Sequence, residues 1–386
     1  MFAIAISLLL AAQTPEAPSD TLRWRLSPDL RIGSRDAPDY SLTRVGSLAV
    51  GADGAIYVGQ PEESLIRVFD REGHFERVLG RPGAGPGEFR RLNGMGWLGD
   101  TLWAIDGRLQ HVNMFVGGET LVRTITKAEP VDPTARRWQP GYRIQALLVN
   151  GRAVAWATSP TRPDGPEVAL VLLDAEGQVL DTLAVENGGK ASLIVATPRG
   201  SSVSNLQPFN DNPLWKVAAD GSGLVIVERP AATERNTRHF LVVKMSASQD
   251  TAFMRERPYD PVPIAREVKD SVAAWVAGIY HGHGIFGTLA AAEAAVREAL
   301  YLPDFYPPVT RVVLGRDQSV WLEREAVPGK PSVWEVLDAN GRLVGIVQAQ
   351  KDLEIREAQF DRIWGVERDE LDVPYVVRYL VVPGGQ

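Results

Sequence analysis

Four carboxylates in this chain, Asp106, Glu228, Glu323 and Glu367, each close a short apolar run. If those runs are strands converging on one mouth, the acids form a ring of oxygens suited to ligand binding. Such a ring would hold a hard cation such as calcium, which is coordinated almost entirely by oxygen. Glu228, Glu323 and Glu367 are each followed by Arg, so the competing reading is a set of Glu/Arg strand ends on the surface. Exposed pairs of that kind are nearly neutral energetically. Arg81, at the head of the Gly/Pro-rich run 81–91, is the basic candidate for ligand contact. That run precedes a strand and not a helix, so it lacks the backbone donors of a phosphate cradle. His281 and His283 form a His-x-His pair that offers two metal ligands. No third ligand is identifiable, and a histidine pair in a Gly-rich turn is commonly just solvated. His74, His111 and His239 read as structural. The chain carries no nucleophile elbow, Walker, zincin or Rossmann motif, so no catalytic residue is assigned.

The totals narrow the classes that could hold these residues. The 386 residues carry a net charge of −7, which gives no electrostatic footprint for nucleic acid. Without a single Cys there is no disulfide, thiolate nucleophile or Cys-ligated zinc. Residues 2–12, FAIAISLLLAA, form an apolar run of leader length, too short to span a bilayer. The expectation is a signal peptide over 1–13, a linker over 14–21, export to the periplasm or beyond, and no integral span after cleavage. The frayed apolar terminus that competes with it would leave a hydrophobic cap with no packing partner.

Positioning comes from a repeated hairpin grammar, sought first because fixed self-similarity decides the fold. In 48–58, two short apolar runs flank Asp53-Gly54, a strong hairpin signal. In 66–79, alternating runs flank a turn at 71–73, so one unit is four strands, a to d. Strand b recurs at 102–105, 154–157, 224–227, 320–322 and 363–366, with Tyr57, Trp103, Trp156, Trp321 and Trp364 in one shared slot. The last unit runs out of chain before its d, and an orphan strand, 22–26 (LRWRL), waits near the start. Pairing it beside 376–381 closes a ring and removes the exposed edges that endanger all-β chains. The predicted fold is all-β, a six-bladed β-propeller over 22–386 closed by its N-terminal strand. A β-sandwich explains neither the orphan strand nor the recurring aromatic.

The stretch 48–89 resembles an NHL-type propeller repeat. The matching residues are the Asp53-Gly54 turn, Ile56-Tyr57-Val58, Ile66-Arg67-Val68-Phe69-Asp70, Gly73, and the run GAGPGEF over 83–89. It departs where such a blade usually opens with Pro, since Asn93 stands there. The resemblance implies the fold; propellers of this kind include protein-binding and RNA-binding modules, sensor domains and some metal-dependent enzymes. Fold alone does not choose among these.

The repeat carries an asymmetry. The a–b and c–d turns are short, whereas insertions fall in b–c loops (158–167, 230–238, 325–332) and d–a connections (127–141, 186–214, 255–308). Those emerge together on one face, where function is expected to concentrate. Within 255–308 the period changes to 3.6 over the insert 262–302 between blades four and five. Ile264, Val268, Val272, Trp275 and Ile279 make one stripe, and Leu289, Ala292, Val296 and Leu300 another, with Thr288 as an N-cap. This αα-hairpin is expected as a static cap over the mouth; a mobile lid or docking hairpin with Ile285 and Phe286 at its tip is the alternative. The expected function is an exported, non-catalytic binding scaffold that engages a protein, peptide or glycan on the loop face, without a cofactor. The alternative is a lactonase-like or lyase-like enzyme using a central cation, for which calcium fits.

Overall fold

Turn chemistry sets the strands apart. At the c–d turns an Asp carboxylate accepts the N–H four residues on: Asp70 from His74 at 2.8 Å, Asp174 from Gln178 at 2.7 Å and Asp338 from Arg342 at 2.9 Å. This local bond gives the backbone its reversal before any tertiary contact forms. Gly73, in the first of these turns, has φ +89°, and a Cβ there would lie 2.8 Å from Leu30. Both the turn and the close approach of another strand therefore require glycine.

In the computed structural model, residues 22–125, 142–159, 168–186, 192–230, 238–324 and 330–384 are described. The expected leader and linker, the connection 127–141 and most of the three b–c loops lie outside them. The described chain is almost all strand, in a propeller-like arrangement of four-stranded antiparallel sheets. The first sheet is Ser47–Val50, Ile56–Gln60, Leu65–Phe69 and Phe75–Leu79. The second is Leu92–Leu98, Thr101–Asp106, His111–Val116 and Thr120–Ile125, and the third Arg143–Leu147, Ala153–Thr158, Val168–Leu173 and Val179–Val185. The fourth is Leu214–Val217, Gly223–Glu228, His239–Ser246 and Thr251–Pro258. Their first strands neighbour one another in turn, Ser47–Val50 on Leu92–Leu98 and that strand on Arg143–Leu147.

The rest of the chain forms one eight-stranded sheet. Val309–Leu314, Val320–Arg324, Ser332–Leu337 and Leu343–Ala349 come first, then the N-terminal strand Arg23–Ile32, then Pro374–Val382, Arg362–Arg368 and Glu354–Ala358. The N-terminal strand lies antiparallel to Pro374–Val382, with Leu26 opposite Val381 and Ile32 opposite Val376. The orphan strand thus pairs where the sequence puts it. It is longer than expected and also meets Leu343–Ala349 in parallel, Arg23 opposite Ile346. Glu354–Ala358 in turn touches Ser47–Val50 and Val309–Leu314.

The cores lie between successive sheets. Second strands are the most buried elements, and Tyr57, Trp103, Trp321 and Trp364 of the shared slot are all buried there. Indole N–H groups find partners where a serine is near, as with Trp321 Nε1 to Ser319 Oγ at 3.0 Å. Arg229, at the end of a second strand, donates to the carbonyls of Asn212 (2.8 Å) and Val309 (3.1 Å), tying two neighbouring sheets. Its burial pulls the guanidinium down to about 10.

The insert holds two helices, α1 (Arg266–Gly282) and α2 (Leu289–Ala299). Thr288 caps α2 as expected, its hydroxyl accepting the Ala291 N–H at 3.2 Å. The phase of α1 differs from the expected stripe. Ala273, Val276, Ala277 and Tyr280 are buried, whereas Trp275 is 65% and Ile279 36% exposed. On α2, Ala292, Val296 and Leu300 are buried and Leu289 is exposed. Phe286 is only 4% exposed and Ile285 packs on the same core, so these two residues plug the helical turn and do not form an open tip.

What receives the helices is a hairpin inside the connection 186–214, Ser192–Ala196 paired with Ser202–Leu206. Leu193 and Val195 join the helical core, and Asn205 Nδ2 donates to Tyr280 Oη at 2.7 Å. The ends of the insert zip into a short stem, with Ile264 N–H on Asp304 O (2.8 Å) and Tyr306 N–H on Val262 O (2.9 Å). Two separate d–a connections therefore build one accessory module beside the fourth sheet.

Candidate binding site: loop face and axial cavity

The expected site residues fall in separate places, each with its own partners. Asp106 is fully buried and accepts N–H bonds from Arg108 (2.8 Å), Leu109 (2.7 Å), Arg91 (3.3 Å) and Arg90. It organises its own b–c turn and the preceding loop. Glu323 accepts from Thr310 Oγ1 at 2.7 Å and lies 3.5 Å from Arg311 Nε. Glu367 accepts from the Tyr379 hydroxyl, and burial together with that bond pushes the phenol upward. Glu228 is exposed.

The following arginines do not pair with these acids. Arg229 bonds to carbonyls, Arg324 to Glu335 at 2.6 Å and Arg368 to Asp372 at 3.2 Å. Among the described residues no group of three or more His, Asp or Glu is placed to hold a metal. His281 sits in the last turn of α1, where its Nδ1 lies 3.1 Å from Phe286 O, and His283 is the exposed C-cap.

Arg81 is exposed and bonds Glu88 Oε1 at 2.8 Å, while Glu88 Oε2 accepts the Gly85 N–H at 2.8 Å. The Gly85 N–H first, and Arg81 second, hold the Glu88 carboxyl below its usual range. The loop is closed on itself, and Phe89 at its end is fully buried.

Convergence occurs instead on the axis, at residues the sequence reading did not single out. A cavity of about 310 Å³ is lined by first-strand residues from around the ring. Ser47, Asn93, Gln145, Trp215, Lys216, Arg356 and Glu357 supply its polar lining, with Trp103 behind them. The turn-face end is narrowed by contacts between sheets. Trp97 N–H donates to Ala219 O at 2.7 Å, Val149 N–H to Gly221 O at 3.1 Å, and Arg316 to Val50 O.

Glu357, buried at this end, accepts the Val50 N–H at 3.1 Å. Burial drives its carboxyl up to about 7, against the pull of Arg316, Lys216 and that N–H. Lys216 is touched by water yet ringed by protein, a combination a channel gives, and the loss of bulk solvent lowers its ammonium pKa. Burial likewise lowers Arg356, which bonds Glu354 at 2.9 Å. A larger groove, about 1050 Å³, runs along the seam of Arg23–Ile32, with Arg23, Arg25, Gln348, Gln350 and Tyr379 in its lining.

A signal for the axial residues exists in the repeat. Strand a faces the axis, so a charge within it, such as Lys216 in LWKV or Arg356-Glu357 in EIREA, must enter the channel or pair on the way.

A scan against protein-family models and a search of curated proteins find no match. The chain is similar in structure to a member of the DUF4221 family from Bacteroides vulgatus, with TM-score 0.50 and 8% identity, covering 94% of this chain and 99% of that one. It is also similar to virginiamycin B lyase from Staphylococcus aureus, with TM-score 0.41 and 11% identity, covering 93% and 99%. A calcium-binding regucalcin from Agrobacterium tumefaciens gives TM-score 0.40 and 10% identity, covering 93% and 96%. At these identities the first likeness bears on the fold alone, and the arrangement that this chain shares with it is the β-propeller.

Proposed function

We propose that the chain is an exported, non-catalytic binding propeller of six blades that engages a protein, peptide or glycan on its loop face. Taking the eight-stranded sheet as two blades joined by Arg23–Ile32 gives that count. The adjacency of Glu354–Ala358 to Ser47–Val50 supports it. Among described helices none is long and apolar enough to cross a membrane, which is compatible with export.

The observation that carries the binding reading is the accessory module. Two independent d–a insertions converge on one face and leave Trp275 and Ile279, one helical turn apart, open to solvent. The buried face of α1 lies on the side of Ala273, Val276, Ala277 and Tyr280, so the exposed Trp275 has the character of a contact residue.

The test is a glycan and peptide array probed with the protein and with a Trp275→Ala/Ile279→Ala variant. Saturable binding that the double variant loses is expected. An array silent for both proteins overturns the reading. No change in Tm with calcium or chelator counts against the alternative, a metal-dependent hydrolase or lyase, because a bound ion stabilises the native state by mass action.

A further inference from the structure

We propose that the axial cavity binds a small organic carboxylate, its anionic group at Lys216 and Arg356 and its body against Trp215. This site is separate from the loop-face module, and neither proposal depends on the other.

The first support is an imbalance of hydrogen-bonding groups. Trp103 is 4% exposed and lines the cavity, yet its Nε1–H has no partner. The buried Arg356 Nε and Ser47 Oγ are likewise unpartnered. Gln145 Nε2 is spent on the carbonyls of Arg143 (3.0 Å) and Ile144 (3.1 Å). Buried donors are almost always satisfied, so unpartnered groups beside the cavity favour an occupant that brings acceptors. Water fills such a site only partly, whereas a carboxylate offers about four lone-pair sites on two oxygens.

The second support is charge. Lys216 and Arg356 reach the cavity from two different sheets, and Glu357 is the single carboxyl lining it. Glu357 already accepts the Val50 N–H. Arg356 is paired with Glu354 at 2.9 Å, so the positive charge open to an anion is chiefly that of Lys216, while burial favours the neutral form of Glu357. An anion there gains charge-assisted bonds that bulk water would weaken.

Size and shape complete the fit. About 310 Å³ is the lower end of small-molecule sites, which excludes a polymer. Trp215 offers a ring against which a short carbon chain or sugar ring can lie, held edge-on by Trp156 at 6.1 Å between centroids.

The experiment melts the full chain against a panel of C3–C6 mono- and dicarboxylic acids and uronic acids. Their methyl esters and inorganic phosphate and sulfate serve as controls. One acid class should raise Tm with the logarithm of its concentration above Kd, by about 2–4 °C at the top of the range, while its esters do nothing. Titration calorimetry with that acid should show Lys216→Met weakening binding at least about tenfold, with the unliganded Tm kept. Should Lys216→Met fail to fold, Lys216→Gln takes its place, and Trp215→Leu should weaken the same acid. The proposal is overturned if no acid on the panel shifts Tm, which leaves a water-filled channel only. It is equally overturned if phosphate or sulfate binds as well as the acids, or if the Lys216 variants bind unchanged.

Discussion

A single proton on Glu357 ties the axis to stability. Its folded pKa of about 7 lies above the ordinary value of 4.5, so between those limits the native state holds a proton that the unfolded chain has released. Stability then falls as pH rises from about 4.5 to about 7, and this contribution is flat on either side. Urea melts across pH 4.5–8 should show that slope in the wild type and its loss in Glu357→Gln, and a persisting slope would place the titration elsewhere. The same residue shows what a sequence hides. Glu357 sits in the run Glu354-Ile355-Arg356-Glu357-Ala358, which resembles a solvated strand end. Only the ring, by turning that strand toward the axis, makes the second acid a buried one. Asp106 errs in the other direction: chosen for its type at a strand exit, it is consumed by four backbone N–H groups, two from its own turn and two from the preceding loop.

At the level of elements, hairpins were legible and helix phase was not. Asp-Gly turns and alternation locate the strands because those signals act within a few residues. The face that α1 buries depends on its partners, α2 and, in the same core, the hairpin Ser192–Leu206, which is distant in sequence and missed inside a long connection. With apolar residues on both sides of α1, periodicity alone favoured the bulky stripe. The buried side instead carries the small residues Ala273 and Ala277.

Phe286→Ala should remove a fully packed ring from this module and cost about 3–5 kcal/mol locally. Hydrogen exchange should show α1 and α2 amides losing protection while strand amides of the first sheet stay unchanged. Thr288→Ala should cost less, about 0.5–2 kcal/mol, and act mainly on α2. If either variant lowered protection across all sheets equally, the module would be part of the cooperative ring and not an appendage.

Across the whole molecule, stability rests on the seam made by Arg23–Ile32. Removing that strand exposes the full edge of Pro374–Val382 and strips Ile32 from a core shared with the first sheet. A chain beginning at residue 33 should lose the main cooperative melt and associate through the bare edge, which size-exclusion chromatography would detect. Retention of a monomeric, wild-type melt would show the seam dispensable. The closure was readable because an unmatched strand at one end and a missing one at the other are a counting fact.

Because Arg25 stands opposite Val382, the strand Arg23–Ile32 is made long before the strand it pairs with. Throughout synthesis the ring is a lengthening arc with one unsatisfied lip. Its completion is a long-range closure, slow by nature. Joining the two seam strands and reopening the chain at an outer turn should move this long-range closure to the new break, where folding kinetics would locate it.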